Sequence, residues 1–152
     1  MKTSTFPHDD KAAFVEAVRF TAGETQFSEA LVEKDYFCSV ILGEIFSSDA
    51  HELVFKGGTL LNKAHAGFYR LSEDLDFSIH VSKDVTRANR RAKMTPVKEQ
   101  IAKIVKKLSF RLSKKLEGKN ESSQYQGEIE YDSLLLGNAG TIKIDIGLYQ
   151  FT

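Results

Sequence analysis

The chain has 152 residues, of which 41% are hydrophobic and 28% charged, a composition typical of one soluble globular domain. At this length folding buries roughly two-thirds of the unfolded surface. No apolar run approaches the roughly 18 residues of a membrane span, and residues 1–10 lack the apolar core of a signal peptide. The single cysteine, Cys38, excludes an internal disulfide and a multi-cysteine zinc site. We therefore expect a cytoplasmic protein with no membrane segment and an inert, packed thiol.

Charge is balanced over the whole chain but segregated along it. Of 21 basic and 21 acidic residues, twelve basic ones and only two acids, Glu99 and Glu117, lie between Arg87 and Lys119. We call this stretch the basic segment. A local basic surface attracts phosphates whatever the net charge. The same pattern is equally typical of a solvated helix face, so both interpretations stay open.

The first half of the chain predicts two helices, a strand, a short helix and a second strand. Pro7 followed by two aspartates starts the first helix, and Ser28 caps the second. Apolar spacing then distinguishes helical from strand segments. The predicted elements are residues 7–21, 28–45, 53–55, 59–65 and 71–81.

The second half predicts one long helix followed by a hairpin. Thr95-Pro96 is a typical helix start, and apolar residues continue at helical spacing to Gly118. After a polar loop, strands at residues 125–136 and 141–149 are joined by a Gly-Asn-Ala-Gly turn.

The most informative motif is Lys56-Gly57-Gly58-Thr59, where a double glycine follows a predicted strand. Such a pair usually forms no more than a tight turn. Alternatively, glycine lets a phosphate approach bare backbone N–H groups at a helix N-terminus, whose dipole favours an anion. Lys56 and Lys63 flank the turn and would add positive charge. The motif lacks the Gly-Lys-Ser/Thr of a Walker A loop.

Two aspartates follow in the strand predicted at residues 71–81. Because side chains alternate along a strand, Asp74 and Asp76 project from the same face. Such residues are often merely solvated, but aspartate is depleted in strands, and like charges on one face repel unless a cation lies between them. Carboxylates suit Mg²⁺ (or Mn²⁺), which commonly binds one or two of them together with substrate phosphates. Ser72, just before the pair, would steady the turn or contact a phosphate.

A third carboxylate is expected from a neighbouring strand. Asp145 is the best candidate, because it is the lone acid of an isoleucine-rich strand, although a chance surface position is the alternative. Glu130 and Asp132 lie on a more polar strand and are weaker candidates. Three such carboxylates with two metal ions would catalyse phosphoryl or nucleotidyl transfer, with Asp145 as ligand, general base or both. His65 and His80 form no metal-binding signature and are interpreted as ordinary surface or helix residues.

Two motifs together carry a family resemblance. Residues 54–64 (Val-Phe-Lys-Gly-Gly-Thr-Leu-Leu-Asn-Lys-Ala) and 70–77 (Arg-Leu-Ser-Glu-Asp-Leu-Asp-Phe) resemble the AbiEii/AbiGii toxin family of nucleotidyltransferases, which are relatives of DNA polymerase beta. The Glu-Lys-Asp-Tyr at residues 33–36 also resembles that family's Lys-Asp-Tyr element. The resemblance covers residues 28–82 well, and residues 142–148 match the strand of the third carboxylate loosely.

The resemblance implies an α+β nucleotidyltransferase fold, with a mixed sheet of about four to five strands flanked by helices. It implies that Asp74, Asp76 and Asp145 are the catalytic residues and the metal ligands. The residues expected at the nucleotide phosphates are Lys56, Gly57, Gly58, Thr59, Lys63, Arg70 and Ser72.

Family members act as bacterial or phage-defence toxins paired with an antitoxin, and relatives transfer nucleotides to RNA, notably tRNA. The resemblance therefore implies a Mg²⁺-dependent enzyme that transfers a nucleotide from an NTP to RNA, which the basic segment could hold. Full-length members continue into a helical C-terminal region that this sequence lacks, so residues 1–152 are expected to form one nucleotidyltransferase-like domain. Two alternatives remain: transfer to a protein hydroxyl, and a shortened, non-catalytic module that binds a nucleotide or a partner.

Overall fold

The computed structural model describes residues 6–47, 52–56 and 74–150; the short helix predicted at residues 59–65 lies outside them. After a 3₁₀ turn (Pro7–Asp9), the helices are α1 (Lys11–Thr25), α2 (Glu29–Phe46) and α3 (Arg87–Lys107). The strands are β1 (Leu53–Lys56), β2 (Asp74–His80), β3 (Arg111–Lys119), β4 (Gln124–Asp132) and β5 (Ala139–Tyr149). None of these helices is long and apolar enough to cross a bilayer.

The strands form one mixed sheet in the order β1-β2-β5-β4-β3. β2 and β5 run parallel, and every other pair is antiparallel. In this register Asp76 lies opposite Asp145, and Ser78 lies opposite Gly147. The α+β class and the mixed sheet are therefore confirmed.

The two faces of the sheet differ because side chains alternate along each strand. Phe77, Ile144 and Ile146 point to one face, and each is at most 1% exposed. Helix α2 packs on this face, where the ring centroids of Phe37 and Tyr131 are 4.7 Å apart. The helices thus cover the apolar face, and we call the opposite one the polar face.

The second helix begins after its expected cap, Ser28, but the first begins at Lys11 rather than at Pro7 and continues to Thr25, beyond the predicted end at residue 21. The side chain of Asp10 accepts a hydrogen bond from the Ala13 N–H, and that of Ser28 accepts one from the Leu31 N–H, each at 3.1 Å. These caps satisfy donors that have no partner within the helix. Cys38 of α2 is fully buried, which agrees with an inert thiol.

The predicted start of the third helix at Thr95-Pro96 is wrong. α3 begins at Arg87, where the Thr86 side chain caps it by accepting a hydrogen bond from the Asn89 N–H at 3.1 Å. Pro96 lies inside the helix, which therefore lacks one backbone hydrogen bond. The stretch after the true cap is rich in charge and poor in apolar residues, so it shows no helical spacing.

The predicted end of this helix at Gly118 is also wrong. α3 stops before Ser109, which takes a left-handed φ of 60° without a glycine to mark the turn, and β3 follows. Leu112 and Leu116 are four residues apart, a spacing that places both side chains on the same side of either a helix or a strand. Their pattern could not distinguish the two, and the lysines between them lie on an edge strand.

The first strand of the hairpin ends earlier than the predicted residue 136. β4 ends at Asp132, and the connection to β5 is held by Glu33 of α2. Its carboxylate, 1% exposed, accepts hydrogen bonds from Ser133 Oγ at 2.7 Å and from the Leu134 N–H at 2.8 Å. Within the Glu-Lys-Asp-Tyr element, Glu33 therefore has a structural role.

Candidate functional site

The three carboxylates singled out from the sequence lie together on the polar face. Asp74 and Asp76 are two residues apart on β2, and Asp145 of β5 lies directly opposite Asp76. Residues in these positions project from the same side of a sheet. All three line an open cavity of about 590 Å³. The structure thus brings both parts of the predicted carboxylate set to one place.

The charges at this site act on one another. The pKa of Asp76 is raised, first because partial burial removes water from its carboxylate, and then because Asp145 and Asp74 repel the negative charge. Lys56, opposite Asp76 on β1, lowers the same pKa by a smaller amount. Repulsion between carboxylates therefore outweighs the attraction of Lys56, and an additional cation would be stabilised here.

Two glutamines orient Asp145, and sequence analysis missed both. Gln126 Nε2 donates to Asp145 Oδ2 at 3.0 Å, and Gln124 Nε2 donates to the same oxygen at 3.1 Å. Both lie on β4, two residues apart, on the side that faces the cavity. The only signal in the sequence is the alternation of side chains along β4, which becomes informative once the register with β5 is known.

The donor chemistry suits a hard divalent cation, although the ligand set is not closed. Within the described ranges, no group of three or more His, Cys, Asp or Glu side chains is placed so that it could hold a metal ion. Mg²⁺, however, usually keeps several waters and takes one or two carboxylates plus substrate phosphates. One or two of Asp74, Asp76 and Asp145 would suffice for that mode of binding, in which the substrate completes the coordination.

Four lysines also line the cavity, together with two further acids, Glu117 and Glu128. The lysines are Lys114, Lys115 and Lys119 of β3 and Lys143 of β5, which lies opposite Asp74. The pairing of β3 with β4 shifts register on both sides of Lys114, and such bulges re-aim side chains, so that neighbouring lysines reach one cavity. Lysines on an edge strand also prevent strands of other molecules from pairing with it. The same four charges would attract a phosphate backbone.

Most residues expected at the nucleotide phosphates lie outside the described part of the chain. Lys56 is described and is half-buried at the end of β1. Those outside are Gly57, Gly58, Thr59, Lys63, Arg70 and Ser72, together with His65. Since Lys56 pairs with Asp76, β1 ends directly beside the carboxylates.

The weaker candidates Glu130 and Asp132 do not belong to this site. Arg111 Nε donates to Glu130 Oε2, and Arg111 Nη2 donates to Asp132 Oδ1, each at 2.9 Å. This hydrogen bond and the Arg111 charge lower the pKa of Asp132. Both acids pair with β5 four or more positions before Asp145. His80, exposed at the end of β2, does not line the cavity either.

A family model matches most of the chain. The model, described as "Nucleotidyl transferase AbiEii toxin, Type IV TA system", matches residues 40–150. This range includes β1, β2 and β5, and with them all three carboxylates. No curated protein matches the chain.

Two solved structures from Helicobacter pylori have a similar fold. A proposed nucleotidyltransferase is 21% identical to this chain and the protein JHP933 is 20% identical, each with a TM-score of 0.50 over 80% of this chain. The chain spans 46% and 45% of their lengths. At these identities the similarity concerns the fold alone.

Proposed function

Because the chain belongs to the AbiEii nucleotidyl transferase toxin family, we propose that it transfers a nucleotide from an NTP to an RNA acceptor with the aid of Mg²⁺ (or Mn²⁺). The observation that carries this proposal is the register of β2 and β5, which sets Asp76 opposite Asp145 with Asp74 beside them. The cavity is lined by both carboxylates and lysines, and the lysines would attract a triphosphate and a polyanion.

Asp74, Asp76 and Asp145 would hold the metal, which neutralises charge on the triphosphate when bound. An acceptor hydroxyl forms a bond to the α-phosphorus, the bond from that phosphorus to the bridging oxygen breaks, and pyrophosphate leaves. Asp145 accepts the proton of the hydroxyl. The amide donors of Gln124 and Gln126 hold the Asp145 carboxylate in place.

The donor phosphates are proposed to bind where β1 ends beside Asp76. Lys56 is the described residue of this group, and its charge already acts on Asp76. The backbone N–H groups of Gly57 and Gly58 would contact the phosphates at close range. Further contacts are proposed for Thr59, Lys63, Arg70 and Ser72.

The acceptor is proposed to bind along the lysines of β3. The basic segment contains two parts that differ in position. On α3, Lys93 pairs with Glu52 at 2.9 Å and Lys107 with Glu44 at 2.7 Å, whereas the lysines of β3 line the carboxylate cavity. The strand part therefore supports binding of an RNA backbone near the reacting centre.

The biological setting follows from the family. The family description assigns its members to type IV toxin–antitoxin systems, so we propose that this chain is a toxin with a cognate antitoxin. A phage-defence role and a cytoplasmic location are part of the same proposal, with residues 1–152 acting as one nucleotidyltransferase domain.

The test is a transfer assay with each of the four NTPs labelled at the α-phosphate, total RNA, and Mg²⁺ or Mn²⁺. Wild type is compared with Asp145→Asn and with Asp132→Asn, a matched loss of one carboxylate charge outside the cavity. We expect label on RNA, an almost complete loss in Asp145→Asn, and no loss in Asp132→Asn.

The other outcomes distinguish the alternatives. Label on protein bands instead of RNA favours transfer to a protein hydroxyl, which would use the same carboxylates. Equal, background incorporation by wild type and Asp145→Asn removes the enzymatic proposal. Calorimetric binding of an NTP without turnover would then identify a nucleotide-binding module.

A further inference from the structure

We propose that Tyr149 is a positioning residue for Lys56: its ring holds the lysine ammonium beside the carboxylates, where the donor phosphates enter. The effect on NTP binding rests on the proposed function, but the contact itself involves described residues alone. Lys56 ends β1 opposite Asp76, and Tyr149 ends β5. The Lys56 Nζ lies over the Tyr149 ring, 4.4 Å from its centroid. That distance is within the range of a cation–π contact.

Gly147 makes this ring position possible. A Cβ atom built on Gly147 would come within 2.2 Å of Tyr149 ring carbons and within 2.3 Å of its hydroxyl, so the ring occupies the space of a side chain at that position. Gly147 lies opposite Ser78 and two residues from Asp145. The tyrosine therefore folds back along β5, toward the carboxylates, because glycine leaves room for it.

The consequence for Lys56 is restraint. A lysine side chain has several rotatable bonds and loses much conformational freedom when it binds a phosphate. Lys56 is attracted by Asp76, and the ring supplies a second attraction from another strand. Held between them, the ammonium is preorganised for an incoming anion, which lowers the entropy lost on binding. The contact should act on NTP affinity more than on the chemical step.

A different use of Tyr149 would be stacking on the nucleobase, since the residue is 42% exposed. The ring is already flanked by Gly147 on its own strand and by the Lys56 ammonium. A base would have to displace the lysine to reach that side. Positioning of Lys56 is therefore the use that the observed contacts favour.

A double-mutant cycle tests the inference through KM for the NTP. Tyr149→Leu is expected to raise KM about two- to fivefold, the range for one partly exposed cation–π contact, with kcat nearly unchanged. Tyr149→Phe keeps the ring and should behave as wild type. In a Lys56→Met background, Tyr149→Leu should have no further effect. Lys98→Met is the matched control, since Lys98 lies 4.9 Å over the Tyr125 ring outside the cavity, and it should leave KM unchanged.

A measurement without turnover separates this inference from the proposed function. In the NMR spectrum, ring current should shift the Lys56 ε-methylene protons upfield in wild type and Tyr149→Phe, but not in Tyr149→Leu or Gly147→Ala. If wild type transfers no nucleotide, this shift still tests the contact. Each of three results would overturn the inference. They are the absence of the shift, an effect of Tyr149→Leu on KM that is unchanged in the Lys56→Met background, and a KM increase that depends on the base of the NTP.

Discussion

The two faces of the sheet are made by the same strands, yet they obey opposite requirements. On the helix-covered face, Phe77 and Ile146 are fully buried, and hydrophobic burial stabilises the fold. On the polar face, one residue away along β2 and β5, Asp76 and Asp145 lie opposite each other and repel. A carboxylate pair of this kind costs stability, so its presence beside a well-packed core indicates selection for something other than stability.

The largest expected effect separates chemistry from folding. Asp145→Asn removes the proposed proton acceptor but keeps the shape of the side chain and its contacts with the amides of Gln124 and Gln126 after a flip. We expect kcat for nucleotide transfer to fall about 10²–10⁴-fold, with an unchanged circular dichroism spectrum and a urea midpoint that is not lowered. A comparable loss of folded protein would mean that Asp145 is structural.

A substitution on the other face should do the reverse. Phe77→Ala leaves a cavity among rings that include Phe55, whose centroid lies 5.5 Å from that of Phe77. We expect a loss of about 3–5 kcal/mol in the free energy of unfolding, measured by urea denaturation. The activity per folded molecule should be retained, and a specific loss of activity at full stability would contradict the separation of the two faces.

Glu33 is a carboxylate on the helix side and therefore sharpens the comparison. Glu33→Ala leaves the Ser133 hydroxyl and the Leu134 N–H without their acceptor, so we expect about 2–3 kcal/mol of destabilisation in urea. Glu33→Gln keeps one acceptor and should cost less. If both variants are as stable as wild type, the connection between β4 and β5 is not held from α2.

Sequence reasoning predicted the parts of this molecule whose signal is local. Alternation identified the face of Asp74 and Asp76, and the Ser28 cap located the start of α2. Asp145 could be named because an acid is conspicuous in an isoleucine-rich strand. Each of these inferences needed only a few neighbouring residues.

The wrong boundary between α3 and β3 arises because one spacing of apolar residues fits both a helix and a strand. Leu112 and Leu116 fit a helix and a strand equally well, so β3 was predicted as part of α3. The error mattered for the site, because it placed Lys114 and Lys115 on a helix rather than on the strand that lines the carboxylate cavity. The roles of Gln124 and Gln126 depend on pairing between strands, and no local pattern contains that information.

A smaller effect should appear as a gain in stability. Asp76→Asn removes the repulsion from Asp145, and we expect the metal-free protein to gain about 0.2–1 kcal/mol at pH 7, since solvent screens a half-exposed pair. The raised pKa of Asp76 means that the folded protein binds more protons than the unfolded chain above the ordinary value of 3.8. Wild-type stability should therefore fall relative to Asp76→Asn as pH rises through that raised pKa.

Urea denaturation in EDTA from pH 3 to 8 measures this difference. The two proteins should converge at the acid end, where Asp76 is protonated in both states of the wild type. Added Mg²⁺ with a non-hydrolysable NTP should raise the midpoint of wild type more than that of Asp76→Asn. A variant less stable than wild type at neutral pH would show that Asp76 makes a net favourable contact.

The smallest effect is expected at the far end of the polar face. Asp132 is exposed and pairs with Arg111, and exposed ion pairs contribute little to stability. Asp132→Asn should leave kcat and KM unchanged and should alter the urea midpoint only slightly, less so at high salt. Because Asp132 and Asp145 are both acids on one face of one hairpin, a loss of activity in Asp132→Asn would extend the reacting centre along β4. An unchanged rate, measured beside Asp145→Asn, would confine it to the central strands, where β2 and β5 meet.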